Sequence, residues 1–153
     1  MPRAPFQVLV IPFYRDETGT LRYAVFRRNR QTGGYWQFIA GGGETGEEPL
    51  DAARREAAEE GGIDPFDSFV TLESMTTIPV VQVAGFLWGK DRLVIPERCF
   101  GVEVKDSLLV LSDEHTEYQW ATYETALSLL RWDSNKSALW ELDFRIQQKA
   151  QVM

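Results

Sequence analysis

The chain has 153 residues, 44% hydrophobic and 25% charged, a size and balance that suit one soluble globular domain spanning 1–153. Sixteen basic against twenty-three acidic side chains give a net charge of −7, which argues against a nucleic-acid polymer as partner. A small anionic substrate stays open if a bound cation supplies the missing positive charge. The single cysteine, Cys99, excludes an intrachain disulfide and fits a reducing cytoplasm. The early apolar run from Val8 to Phe13 is too brief for a secretory core or a membrane span, so no membrane partner is expected.

In chain order, Phe6–Tyr14 is β-branched and aromatic and reads as a first strand, with Thr18-Gly19 as a turn and Arg22–Arg28 as its antiparallel return. Gln31–Gly34 reads as a loop, and Trp36–Ile39 as a short strand that runs into Gly41-Gly42-Gly43. Pro49 suits the first position of a helix, which should run to about Glu60 and stop at Gly61-Gly62. Strands are expected at Phe69–Ile78, Val81–Trp88, Val94–Val104 and Glu117–Thr122. Helical spacing returns over Tyr123–Leu130 and Asn135–Gln148, with Asn135 as the cap of the second. The pattern is α+β, a mixed sheet with helices packed on it.

The helix beginning at Pro49 carries the chemistry. Leu50, Ala53 and Ala57 fall on one side, while Glu56, Glu59 and Glu60, at i, i+3 and i+4, share a neighbouring stripe. Like charges at that spacing destabilise a helix, and anions are disfavoured at its C-terminal end. A solvated acidic face is the plain alternative. Three carboxylates converging beside a glycine turn favour Mg²⁺, with Mn²⁺ as its substitute, since hard oxygen donors suit such ions.

These residues form a longer pattern: Gly41, five residues, Glu47, seven residues, Arg55-Glu56-Ala57, one residue, Glu59-Glu60, one residue, Gly62-Ile63. It resembles the Nudix box at every fixed position. The resemblance implies an α/β/α sandwich and a Mg²⁺-dependent pyrophosphohydrolase acting on a small nucleotide-type molecule, as a monomer or homodimer. By position it implies Glu56, Glu59 and Glu60 as metal ligands, helped by a backbone carbonyl at Ala40 or Gly41. Arg55 would orient these carboxylates, with Glu47 as its ion-pair partner, or the two would be structural support alone. Arg28 would hold phosphate, or be an ordinary strand end. The general base, in several members, lies outside the box; here Glu114 and Glu117 are the candidates, ranked above His115.

The segment from Tyr35 to Glu44, with Glu114-His115, Tyr118, Trp120 and Trp132, resembles the dihydroneopterin triphosphate and dATP pyrophosphohydrolases. That branch implies a triphosphate split into pyrophosphate and a monophosphate, with Trp36 and Phe38 shaping a slot for a flat ring. Trp132 and Trp140 are expected in the core. Pro79 keeps ADP-ribose or another nucleoside diphosphate derivative as the runner-up substrate, and an inactive nucleotide sensor stands behind both.

Overall fold

The computed structural model describes residues 2–152. Seven strands form one mixed sheet: β1 (Arg3–Arg15), β2 (Leu21–Arg28), β3 (Trp36–Gln37), β4 (Ile39–Glu44), β5 (Ser68–Pro79), β6 (Val94–Glu103) and β7 (His115–Ala121). The main path runs β3-β2-β1-β6-β5, with β4 paired to β1 and β7 to β2. β1 and β6 are parallel, and the other pairs are antiparallel. Three helices complete the fold: α1 (Pro49–Gly61), α2 (Tyr123–Leu129) and α3 (Asp133–Val152).

Alternation along the strands divides the core in two. Val8, Val10, Ala24 and Phe26 point to the side covered by α1, whose Ala52, Ala53 and Ala57 are small enough to lie close on the sheet. Leu9, Ile11, Tyr23 and Val25 point to the opposite side, covered by α2 and α3 through Ala126, Ala138, Leu139 and Leu142. Together these layers form the α/β/α sandwich.

Several elements differ from the sequence reading. Val81–Trp88 is not a strand. Val80–Gln82 is a 3₁₀ turn, the Val80 carbonyl accepts the N–H groups of Val83, Ala84 and Gly85, and Gly85 and Gly89 take positive φ. The strand expected at Trp36–Ile39 is two pieces, and the second continues through the glycines. Asn135 is not a cap either: α3 starts at Asp133, and the Asn135 side chain accepts the Phe38 N–H at 3.0 Å. Trp132 and Trp140 leave the core, being 43% and 57% exposed. The helical period turns Ala138, Leu139 and Leu142 inward, and Trp140 stacks on Phe144 outside.

Among the described residues, no helix is long and apolar enough to cross a membrane.

Candidate active site

The glycines of β4 create the site by what they lack. A Cβ on Gly41 would fall inside the Glu56 carboxylate, and one on Gly42 would fall on the Arg3 guanidinium. The strand can therefore accept a buried glutamate from α1 on one face and an arginine on the other. α1 ends at Gly62, whose φ of 64° is left-handed and whose missing Cβ makes room for Val110. Glu56, Glu59 and Glu60 thus sit on the last two turns of the helix beside β4.

One guanidinium organises this end. Arg55 Nε lies 2.9 Å from Glu47 Oε2, and Nη2 lies 3.1 Å from Glu47 Oε1 and 2.9 Å from the Gly42 carbonyl. Its Nη1 reaches Glu56 at 3.0 Å and Glu59 at 3.3 Å, with Glu44 at 3.8 Å. Burial pushes the Glu56 carboxyl up to about 7, although Arg55 opposes the shift, and the charges of Glu59 and Glu60 add to it. Burial also raises Glu60, which accepts a hydrogen bond from Ser112 Oγ.

Among the described residues, no three acidic, histidine or cysteine side chains are already gathered closely enough to hold a metal ion by themselves. The donor chemistry nevertheless fits a divalent cation. Glu56 and Glu60 are buried carboxylates whose charged forms burial disfavours even with Arg55 beside Glu56, and Mg²⁺ takes only a few protein oxygens, completing its shell with water and phosphate. Ala40 and Gly41 border the same cleft.

That cleft has a volume of about 750 Å³. Glu56, Glu59 and Glu60 line it with Arg28 and Glu114, which stand 3.8 Å apart. Glu117 does not line it; it faces Arg27 at 3.9 Å on the other side of the strand pair. His115 is brought near Glu60 by a bulge. Arg27 pairs with Glu117 and Arg28 with His115, so Thr116 is an extra residue and His115 flips to the face of Tyr118. It is 4% exposed, its Nδ1 has no hydrogen-bond partner among the described residues and lies 3.7 Å from Glu60, and burial lowers it to about 4.

No slot forms between Trp36 and Phe38. Phe38 is wholly buried in the core and Trp36 packs against that same core, because alternation turns Gln37 toward the cleft instead. The aromatic wall is Tyr35 with Trp132, edge to face at 5.2 Å. Arg3, Gln7, Tyr35, Gln37, Glu97 and Asn135 line the cleft and were not read as site residues from the sequence; Arg3, Gln7, Gln37 and Glu97 follow from strand register, and Tyr35 and Asn135 from how the loop before β3 and the start of α3 pack.

A sequence profile of the NUDIX domain family matches residues 5–141. The chain belongs to the Nudix family. A structure of a candidate Nudix hydrolase from Listeria monocytogenes is 38% identical, with a TM-score of 0.85, covering 95% of this chain and 97% of that one. The family match and this likeness support a hydrolase acting on pyrophosphate bonds. The E. coli dihydroneopterin triphosphate pyrophosphohydrolase, 22% identical with a TM-score of 0.72 over 91% of this chain and 94% of that one, shares the fold. The octanoyltransferase of Myxococcus xanthus is 29% identical over 82% of this Nudix chain, which spans only 33% of that protein.

Proposed function

We propose that this Nudix protein is a Mg²⁺-dependent pyrophosphohydrolase whose substrate is a triphosphate carrying a flat bicyclic ring. The products are pyrophosphate and a monophosphate. The observation that carries this reading is the polarity of the cleft, with box carboxylates, Arg28 and Glu114 at one end and Tyr35 with Trp132 on the wall. A purine or pterin ring fits an aromatic wall, and a polyphosphate fits the charged end.

Glu56, Glu59 and Glu60, with a carbonyl of Ala40 or Gly41, would hold the ion. Bound there, Mg²⁺ supplies neutralising charge and polarises the diphosphate. Arg55 keeps the carboxylates in place through Glu47 and the Gly42 carbonyl. Arg28 binds a phosphate oxygen, and Glu114 beside it takes the proton from the attacking water. Its partners Ser112, Asn29 and Arg28 fix the loop that carries it. On this reading the protein works in the cytoplasm on a small nucleotide-type molecule.

A second reading rests on Pro79, which lines the cleft: hydrolysis of ADP-ribose or a related diphosphate. A competition among dihydroneopterin triphosphate, dATP and ADP-ribose with Mg²⁺ separates the two. Higher kcat/KM for either triphosphate supports the first reading, and a preference for ADP-ribose hands the assignment to the second. Absence of turnover with all three leaves the inactive sensor.

A further inference from the structure

The floor of the cleft holds a pair of side chains that the Nudix box does not use. Gln7 on β1 is the parallel register partner of Glu97 on β6 and the antiparallel partner of Gly42 on β4. Gln7 Nε2 donates to Glu97 Oε2 at 3.1 Å. Glu97 is 4% exposed and borders the cleft, yet among the described residues no lysine or arginine lies within ion-pair distance of it. Its Oε1 has no hydrogen-bond partner among the described residues. Oε1 is not sealed from the cleft, and it keeps hydrogen-bonding capacity there for water or a ligand.

Resting on the reading of the chain as a hydrolase of ring-bearing triphosphates, we propose that Gln7 and Glu97 read the ring, with Glu97 Oε1 meeting a hydrogen-bonding atom on the edge of a nitrogen heterocycle. Position supports this. Two strand spacings separate Glu97 from Gly42, about 10 Å in all, which is the scale on which a nucleotide holds its ring away from its phosphates. Tyr35 and Trp132 offer an aromatic wall to the same cleft. Burial, only partly opposed by the Gln7 amide, pushes the Glu97 carboxyl up. In its neutral form Oε1 can donate its O–H to a ring nitrogen or carbonyl. A site that hydrogen-bonds its ligand discriminates far better than an apolar slot.

The test compares binding of dAMP and dihydroneopterin monophosphate with that of deoxyribose 5-phosphate, which keeps a phosphate and lacks the ring. Calorimetry of the wild type should show at least one ring-bearing ligand bound ten or more times tighter. Glu97→Met fills the same volume without a polar atom and should erase that ratio. Glu97→Gln keeps a donor and should hold the ratio within threefold. Gln7→Ala should lower it at least threefold, and decides the matter if Glu97→Met does not fold. A ratio unchanged in Glu97→Met, or in Gln7→Ala where that variant must serve, overturns the proposal. So does a wild type that shows no ring-dependent binding. If the ratios behave as expected but no triphosphate is hydrolysed, the functional reading falls and the ring-reading pair stands. Normal turnover with an indifferent Glu97→Met gives the reverse.

Discussion

Arg55 grips Glu47 with two prongs, Nε at 2.9 Å and Nη2 at 3.1 Å, and spends its remaining nitrogen on Glu56 and Glu59. Glu47 in turn accepts the Glu44 N–H at 2.8 Å, so the pair ties the loop before α1 to the helix that carries the box carboxylates. Hydrogen bonding to Glu47, and then to Glu56, raises the Arg55 guanidinium, and the same bond lowers Glu47. Arg55→Ala should destabilise the fold by about 1–3 kcal/mol, because it strands a mostly buried carboxylate, and should cut turnover at least a hundredfold. Denaturant unfolding of the two single variants and of Arg55→Ala/Glu47→Ala checks it. Strict additivity would remove the pair from the account of the site.

The proposal of Glu114 as general base rests on its position. Glu114 borders the cleft and faces Arg28, while Glu117 lies across from Arg27 outside it. Glu114→Gln should lower kcat by about 10²–10⁴ with little change in Mg²⁺ affinity, and Glu117→Gln should stay near wild type. Equal, mild effects in steady-state kinetics would move the base onto the box, to Glu56.

Much of this was legible in the sequence because it is local. The box spacing located α1, Pro49 its start and Gly62 its left-handed end, since those depend on residues a few positions apart. What stayed hidden depends on register between distant strands. Phe38 and Gln37 exchange inside and outside with a one-residue step, so a ring slot expected at Trp36 and Phe38 resolves as core, and Tyr35 with Trp132 takes the wall. The bulge at Thr116 that turns His115 inward has no sequence mark. The apolar run at Val81–Trp88 looked like a strand, but the positive-φ Gly85 and the triple acceptance by Val80 O hold it as turns.

Trp132 and Trp36 should therefore separate cleanly. Trp132→Ala should raise KM for the preferred triphosphate roughly tenfold with kcat nearly unchanged, as loss of uniform grip does. Trp36→Ala should instead cost about 1–3 kcal/mol of stability, since that ring packs on the core. Thermal melts and Michaelis kinetics of both variants check this. A KM effect confined to Trp36→Ala would restore the ring slot to β3.

Glu141 makes stability depend on pH. The ladder between β5 and β6 breaks from Leu72 to Ser74, and Glu141 on α3 accepts the freed N–H groups of Glu73 and Ser74, each at 2.7 Å. Burial acts to raise this carboxyl, but bonds from Ser74, Glu73 and Arg145 outweigh it and hold it at about 2, against an ordinary 4.5. Since the folded value is the lower one, the folded form binds fewer protons. The contribution, about 3 kcal/mol at most, is whole above pH 5 and fades as pH falls toward 2. Urea unfolding between pH 7 and pH 3 should show wild type losing its advantage over Glu141→Gln. A constant difference across that range would contradict the assignment.

The charged end of the cleft is tested most directly by following dATP or dihydroneopterin triphosphate with ³¹P NMR, with and without Mg²⁺, in wild type and Glu59→Gln. Glu59 is half exposed, so its loss should leave the melting temperature unchanged. The expected result is pyrophosphate and monophosphate in equal amounts from wild type with Mg²⁺. Turnover should fall by orders of magnitude when Mg²⁺ is chelated or Glu59 is replaced. Unchanged turnover in the chelated enzyme, or release of single phosphate in place of pyrophosphate, would contradict it.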